Sequence, residues 1–152
     1  MSRPETYFED YVAGDVHEFG EVEVIESDVI EFAQRFDPQP FHIDHEAAAA
    51  SHFGGIIASG FHTCSMMMRM LVDHYISAVS SMGSPGIDEV RWLEPVRPGD
   101  TLRCRATVTE ARASSSRPDR GLVHSAIEVL NQEDKVVMSL RSVGFFAKRP
   151  AD

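Results

Sequence analysis

Nowhere in this chain do apolar residues run for the roughly 18 consecutive positions that a membrane-spanning helix needs. The sequence therefore argues against a helical anchor and against the membrane as a partner. Cysteine is scarce: Cys64 and Cys104 are the whole complement, and they form no CxxC pattern. They read as buried thiols of a reducing cytoplasm, not as a disulfide framework. Positive charge is also short, with 14 Lys and Arg against 24 Asp and Glu and a net charge of −10. A surface of that sign repels a phosphodiester backbone, so nucleic acid is not expected as a partner. A phosphate-bearing ligand would need a local basic patch. The segment Met1 to Tyr11 is polar and acidic, unlike a secretory leader. Neither an internal repeat nor a linker is visible.

What remains is an ordinary globular composition, with 43% hydrophobic and 25% charged residues over 152 positions. That length fits one core and one domain, residues 1–152. Val16 to Ile25 alternates loosely and predicts a first strand. Glu26-Ser27-Asp28 is a capping cluster ahead of Val29, Ile30, Phe32, Ala33 and Phe36, which predict a short helix with one apolar face. From Asp37 to Ser59 the chain reads as irregular, apart from a short helix from Asp44 to Ser51 capped by Asp44. Ser59-Gly60 opens a long helical pattern reaching about Met82, with Thr63, Met66, Met67, Met70, Leu71, His74 and Tyr75 at spacings of three and four. After the breaker Gly83-Ser84-Pro85-Gly86 the period changes to two. Strands are predicted at Ile87 to Pro95, Thr101 to Ala111, Leu122 to Asn131 and Val136 to Lys148, in hairpin-like succession. In the second of these, Leu102, Cys104, Ala106 and Val108 face one way, and Arg103, Arg105 and Thr107 the other. The class is α+β, an antiparallel sheet wrapped around one long apolar helix.

The segment Asp37-Pro38-Gln39-Pro40-Phe41-His42 carries the chemistry. It sets a carboxylate and an imidazole five positions apart, where two prolines oppose a helix. A carboxylate and a neutral imidazole can hold one water, take its proton and return one. Phe53-Gly54-Gly55-Ile56-Ile57-Ala58-Ser59-Gly60 then runs into the long helix, and a Gly at a helix start presents bare amides to a developing oxyanion. Together these make a minimal constellation for chemistry beside a thioester carbonyl. Each part alone has an ordinary structural reading: Asp37 as a helix stop, His42 as a hydrogen-bonded structural histidine, Gly60 as a close-packing glycine.

These motifs resemble those of the MaoC-like dehydratases, the hotdog-fold family that includes the (R)-specific enoyl-CoA hydratases. The family's Asp, Asn-Pro, apolar residue and His match Asp37, Gln39-Pro40, Phe41 and His42, with Gln39 in place of the Asn and Phe36 where a Gly or Ser is common. A Gly opens the central helix 18 residues after the His, and Gly60 stands at that offset. Trp92-Leu93-Glu94-Pro95-Val96-Arg97-Pro98-Gly99-Asp100 matches a second family pattern, and the resemblance covers residues 10 to 148. It implies a hotdog fold and hydration of an enoyl thioester or the reverse reaction. Asp37 and His42 would act on one water, and the Gly60 N–H would hold the thioester carbonyl. It implies no cofactor beyond the acyl-CoA substrate. Hydroxyls on the central helix orient the Asp in relatives, and Thr63 and Ser65 are the candidates here.

Two other functions use the same fold: an acyl-CoA thioesterase, and a non-catalytic acyl-CoA-binding module. The spacing of Asp37 and His42 favours the hydratase. His42, Asp44 and His45 are metal-ligand types, but no further cluster follows and Asp44 serves as a helix cap, so no metal is expected. The run Met66-Met67-Met68 with Met70 fits either core or an acyl tunnel. Arg97, Arg103, Arg105, Lys148 and Arg149 fit either solvated positions or contacts to CoA phosphates. A sheet curled on a single helix leaves an edge and an apolar flank uncovered, which predicts a homodimer or higher homo-oligomer.

Overall fold

The computed structural model describes residues 2–151. Strand β1 (Val16–Glu23) is followed by α1 (Glu26–Phe36), the short helices α2 (Pro40–Ile43) and α3 (His45–Ala50), and the long α4 (Gly60–His74). Strands β2 (Gly86–Trp92), β3 (Thr101–Ala113), β4 (Arg120–Leu130) and β5 (Val136–Ala147) complete one antiparallel sheet of order β1-β3-β4-β5-β2. The sheet wraps around α4, the hotdog arrangement.

The core lies where the period-two and period-3.6 patterns meet. Leu102, Cys104, Ala106 and Val108 of β3 are all fully buried, as their alternation predicts. Thr63, Met66, Met67, Met70 and Leu71 form the buried stripe of α4. Gly20 of β1 lies against Met70, in a left-handed backbone (φ +86°) that leaves no room for a Cβ.

Four features depart from the sequence expectation. First, α4 stops at His74, not near Met82. The Tyr11 hydroxyl donates to the Tyr75 carbonyl at 2.7 Å, taking an acceptor that a longer helix would need. Ser77 and Ser80 each donate a hydroxyl to the Thr6 carbonyl, so residues after Tyr75 are tied to the N-terminal segment instead. Second, β3, β4 and β5 follow one another as antiparallel neighbours, but β2 does not pair with β3. β2 pairs with β5 at the far edge, while β3 lies beside β1 and β4. The Leu93 amide bonds the Val137 carbonyl and the Gly99 amide bonds the Val24 carbonyl, so residues 93–100 cross one end of the molecule. Third, residues 40–43 are helical. Pro40 occupies the first turn, where its missing N–H costs nothing. Fourth, Glu26-Ser27-Asp28 does not cap α1; the cap position is Ile25, which makes no side-chain capping bond. Asp44 does cap α3, accepting from the Glu46 amide at 3.0 Å.

Candidate active site

α1 ends at Asp37, whose amide still bonds Ala33 while its dihedrals leave the helical region. The one-turn α2 then swings His42 back beneath it. The two residues are five apart in sequence, and His42 Nε2 lies 3.3 Å from Asp37 Oδ2. His42 is buried, and 23% of the Asp37 side chain is exposed. His42 Nδ1 lies 2.7 Å from the Ile57 carbonyl oxygen. A carbonyl only accepts, so Nδ1 carries the hydrogen and Nε2 is the nitrogen left for chemistry.

The carboxylate is held by two further side chains. Gln39 Nε2 donates to Asp37 Oδ1 and the Ser59 hydroxyl donates to Oδ2, each at 2.7 Å. Partial burial works to raise the Asp37 pKa. The bonds from Gln39 and Ser59, with the positive charge that His42 carries when protonated, outweigh it and hold the carboxyl below its usual range. Neither orienting residue was expected. Thr63 points its hydroxyl at the Ser59 carbonyl at a marginal 3.5 Å, and Ser65 bonds the Phe61 carbonyl on the exposed face. The hydroxyl that reaches Asp37 sits one position before the helix, where sequence reading expects a cap.

That placement shapes the helix end. Ser59 is the N-cap residue of α4 but makes no side-chain capping bond, its hydroxyl being committed to Asp37. Its carbonyl accepts from the amides of His62 and Thr63. The Gly60 and Phe61 amides therefore start the helix without helical acceptors, at its positive end. The Trp92 indole packs against Gly60 and donates its N–H to the Gly60 carbonyl at 3.0 Å; a Cβ at Gly60 would overlap the ring. The close-packing reading of Gly60 therefore holds. Asp37, His42, Gly60, Thr63, Trp92 and Val96 line one cavity of about 460 Å³.

Other candidates lie elsewhere. Arg97 donates to the Phe53 carbonyl, Arg103 pairs with Asp134, Arg105 with Glu128, and Arg149 with Asp10. His45 faces Glu26. Among the described residues no three His, Cys, Asp or Glu side chains come together to hold a metal ion. Cys104 is buried, Cys64 is half-buried, and both are free thiols.

The model of the MaoC-like domain family matches residues 10–129. This chain belongs to the MaoC-like dehydratase family. A MaoC-like dehydratase from Rhodospirillum rubrum is 39% identical and superposes with a TM-score of 0.89 over 96% of this chain and 99% of that one. Protein MaoC of Klebsiella aerogenes is 32% identical over 66% of this chain but only 30% of its own length. The 3-hydroxyacyl-thioester dehydratase Z of Mycobacterium tuberculosis is 30% identical over 61% of this chain and 62% of its own length. The chain thus spans less than two thirds of these two curated relatives. The hotdog fold of this MaoC-like protein is shared with an (R)-hydratase from Pseudomonas aeruginosa, at 23% identity and a TM-score of 0.75.

Proposed function

We propose that this MaoC-like chain adds water to 2-enoyl thioesters, or removes it from 3-hydroxyacyl thioesters. Asp37 and His42 are the acid–base pair and the Gly60 amide the oxyanion donor. The observation that carries this reading is the pairing of His42 Nε2 with Asp37 Oδ2 at 3.3 Å, on the wall of a cavity that also exposes the start of α4.

With Nδ1 committed to Ile57, a neutral His42 offers a lone pair at Nε2 beside an ionised carboxylate. Two acceptors side by side bind a water through both of its hydrogens, leaving its oxygen lone pairs free. A substrate carbonyl at the Gly60 N–H sets Cβ before that oxygen. Attack at Cβ moves one water proton to the pair and builds enolate charge on the thioester oxygen. The uncapped amides and the helix dipole stabilise that charge, and losing such a donor costs about 3–4 kcal/mol in comparable sites. Return of a proton from the pair to Cα completes hydration with the acid–base residues regenerated. CoA is part of the substrate, and no other cofactor enters.

We also place a second copy of the chain against the cavity mouth. Phe61 and Trp92 are 67% and 49% exposed there, and Leu93 beside them is 51% exposed. They continue the open edge of β2, whose outer side pairs with no other strand among the described residues. Apolar side chains along an unpaired strand edge call for a partner.

Mass spectrometry of crotonyl-CoA incubated with the protein tests the reaction. Gain of one water without loss of CoA is expected. Release of free CoA would replace the reading with a thioesterase. Unchanged crotonyl-CoA and longer enoyl-CoAs would leave a binding module.

A further inference from the structure

A second cavity of about 410 Å³ lies further along α4, walled by Met67, Leu71, Ile127 and Leu140 and by Ile87 of β2. The two cavities follow one another along the same two elements. The first touches Gly60 and Thr63 of α4 and Trp92 of β2; the second touches Met67 and Leu71 of α4 and Ile87 of β2. Between them Cys64 Sγ meets Met138 Sδ at 3.6 Å, a contact of soft, adaptable side chains.

The wall of this second cavity is largely apolar; besides Arg3, Ser77, Ser81 and Ser84 it carries one row of hydroxyls on the sheet side. Ser125 of β4 and Ser142 of β5 are direct cross-strand partners, so both project to the same inner face. Tyr75, just past α4, lies 2.7 Å from the Ser125 hydroxyl. Tyr75 and Ser125 are more than nine-tenths buried. Two hydroxyls bring two hydrogens and share one bond, so one O–H of the pair is left over whichever of them donates. Among the described residues that buried hydrogen has no acceptor, although buried polar groups nearly always have a partner, and the half-buried Ser142 hydroxyl beside it makes no hydrogen bond.

A backbone irregularity in β2 shapes the same spot. Glu89 adopts a left-handed conformation (φ +54°), and the register against β5 shifts between Asp88 and Arg91. The extra residue turns Asp88 to the outer face, opposite Arg141, and brings Ile87 inward, opposite Ser142. An unbulged strand would aim the Asp88 carboxylate into the cavity.

We infer that the second cavity takes the far end of the substrate's acyl chain, and that this end carries an uncharged oxygen, a hydroxyl or ketone. The inference rests on the thioester reading of the first cavity. The apolar walls suit a hydrocarbon chain, and the unpartnered hydroxyls supply donors for one oxygen on it. A carboxylate is disfavoured beside the Tyr75 and Ser125 hydroxyls, which are buried, because the one Lys or Arg that lines the cavity, Arg3, is exposed and gives its Nε–H to the Val72 carbonyl.

Calorimetric binding of saturated acyl-CoAs from octanoyl to tetradecanoyl, each beside its ω-hydroxy form, tests this without requiring turnover. At one chain length the ω-hydroxy form is expected to bind about tenfold more tightly, the effect of one satisfied hydrogen bond. Ser125→Ala with Ser142→Ala should remove the preference, with the fold checked by thermal melting. Ser142→Ala alone should reduce it if the double variant does not fold. Equal binding of both forms at every length, or a preference that survives these substitutions, would overturn the inference. Hydration of crotonyl-CoA is scored separately. Hydration without the preference removes this inference and leaves the reaction; the preference without hydration does the reverse.

Discussion

In the proposed reaction Asp37 is the carboxylate of the acid–base pair. Asp37→Asn keeps the shape but removes the negative charge beside His42, and we expect kcat to fall about 10²- to 10⁴-fold with an unchanged circular dichroism spectrum. Ser59→Ala should act more weakly and in a diagnostic way. It removes one of the bonds that hold the carboxyl below its usual range. The acid limb of the kcat/KM profile should therefore move to higher pH, while Ser59→Thr restores it. The same shift bears on stability. A folded pKa below the unfolded value of about 3.9 means that Asp37 stabilises the fold above that pH and that this is lost as pH falls through the folded value. The stability gap between wild type and Asp37→Asn should therefore be widest near neutrality and close in acid, as urea titrations at several pH values would read. Of the thiols, burial pushes Cys104 up to about 12 and raises Cys64 as well. Neither should react quickly with a thiol reagent until the protein is unfolded.

At the scale of elements, Gly60 shows how one residue couples helix, strand and site. Gly60→Ala would drive a methyl into the Trp92 ring. We expect loss of both stability and activity, with stability recovered in a Gly60→Ala, Trp92→Ala pair. The pair of substitutions separates packing from amide presentation. Elements with a clean period were legible in the sequence: β3 with its four buried inward residues, and the α4 stripe from Thr63 to Leu71. Leu102→Ala in the first of these should cost about 2–5 kcal/mol in urea unfolding. Elements fixed by distant partners were not legible. The end of α4 depends on Tyr11 and Thr6, more than 60 residues away in sequence. The place of β2 depends on a loop that crosses the sheet end. The site followed the same rule. Asp37, His42 and Gly60 could be read from a local motif, whereas Ser59 reaches Asp37 across 22 positions. Gln39 stands where relatives carry Asn, and its longer amide is what bonds Asp37.

For the whole molecule, the site lies at an end of α4 with apolar side chains around its mouth. Two copies meeting through the β2 edge would cover them and enclose the water. Light scattering at micromolar concentration is expected to give a dimer mass, and Trp92→Asp should shift the protein toward monomer and lower its activity. A wild-type monomer of full activity would remove the partner from the scheme. The reaction itself is tested most directly by following the enoyl-thioester absorbance of crotonyl-CoA with wild type, Asp37→Asn and His42→Ala side by side. Wild type should consume the absorbance, and each substitution should nearly abolish that while leaving the fold intact. Wild-type rates in a folded Asp37→Asn protein would contradict the acid–base pair.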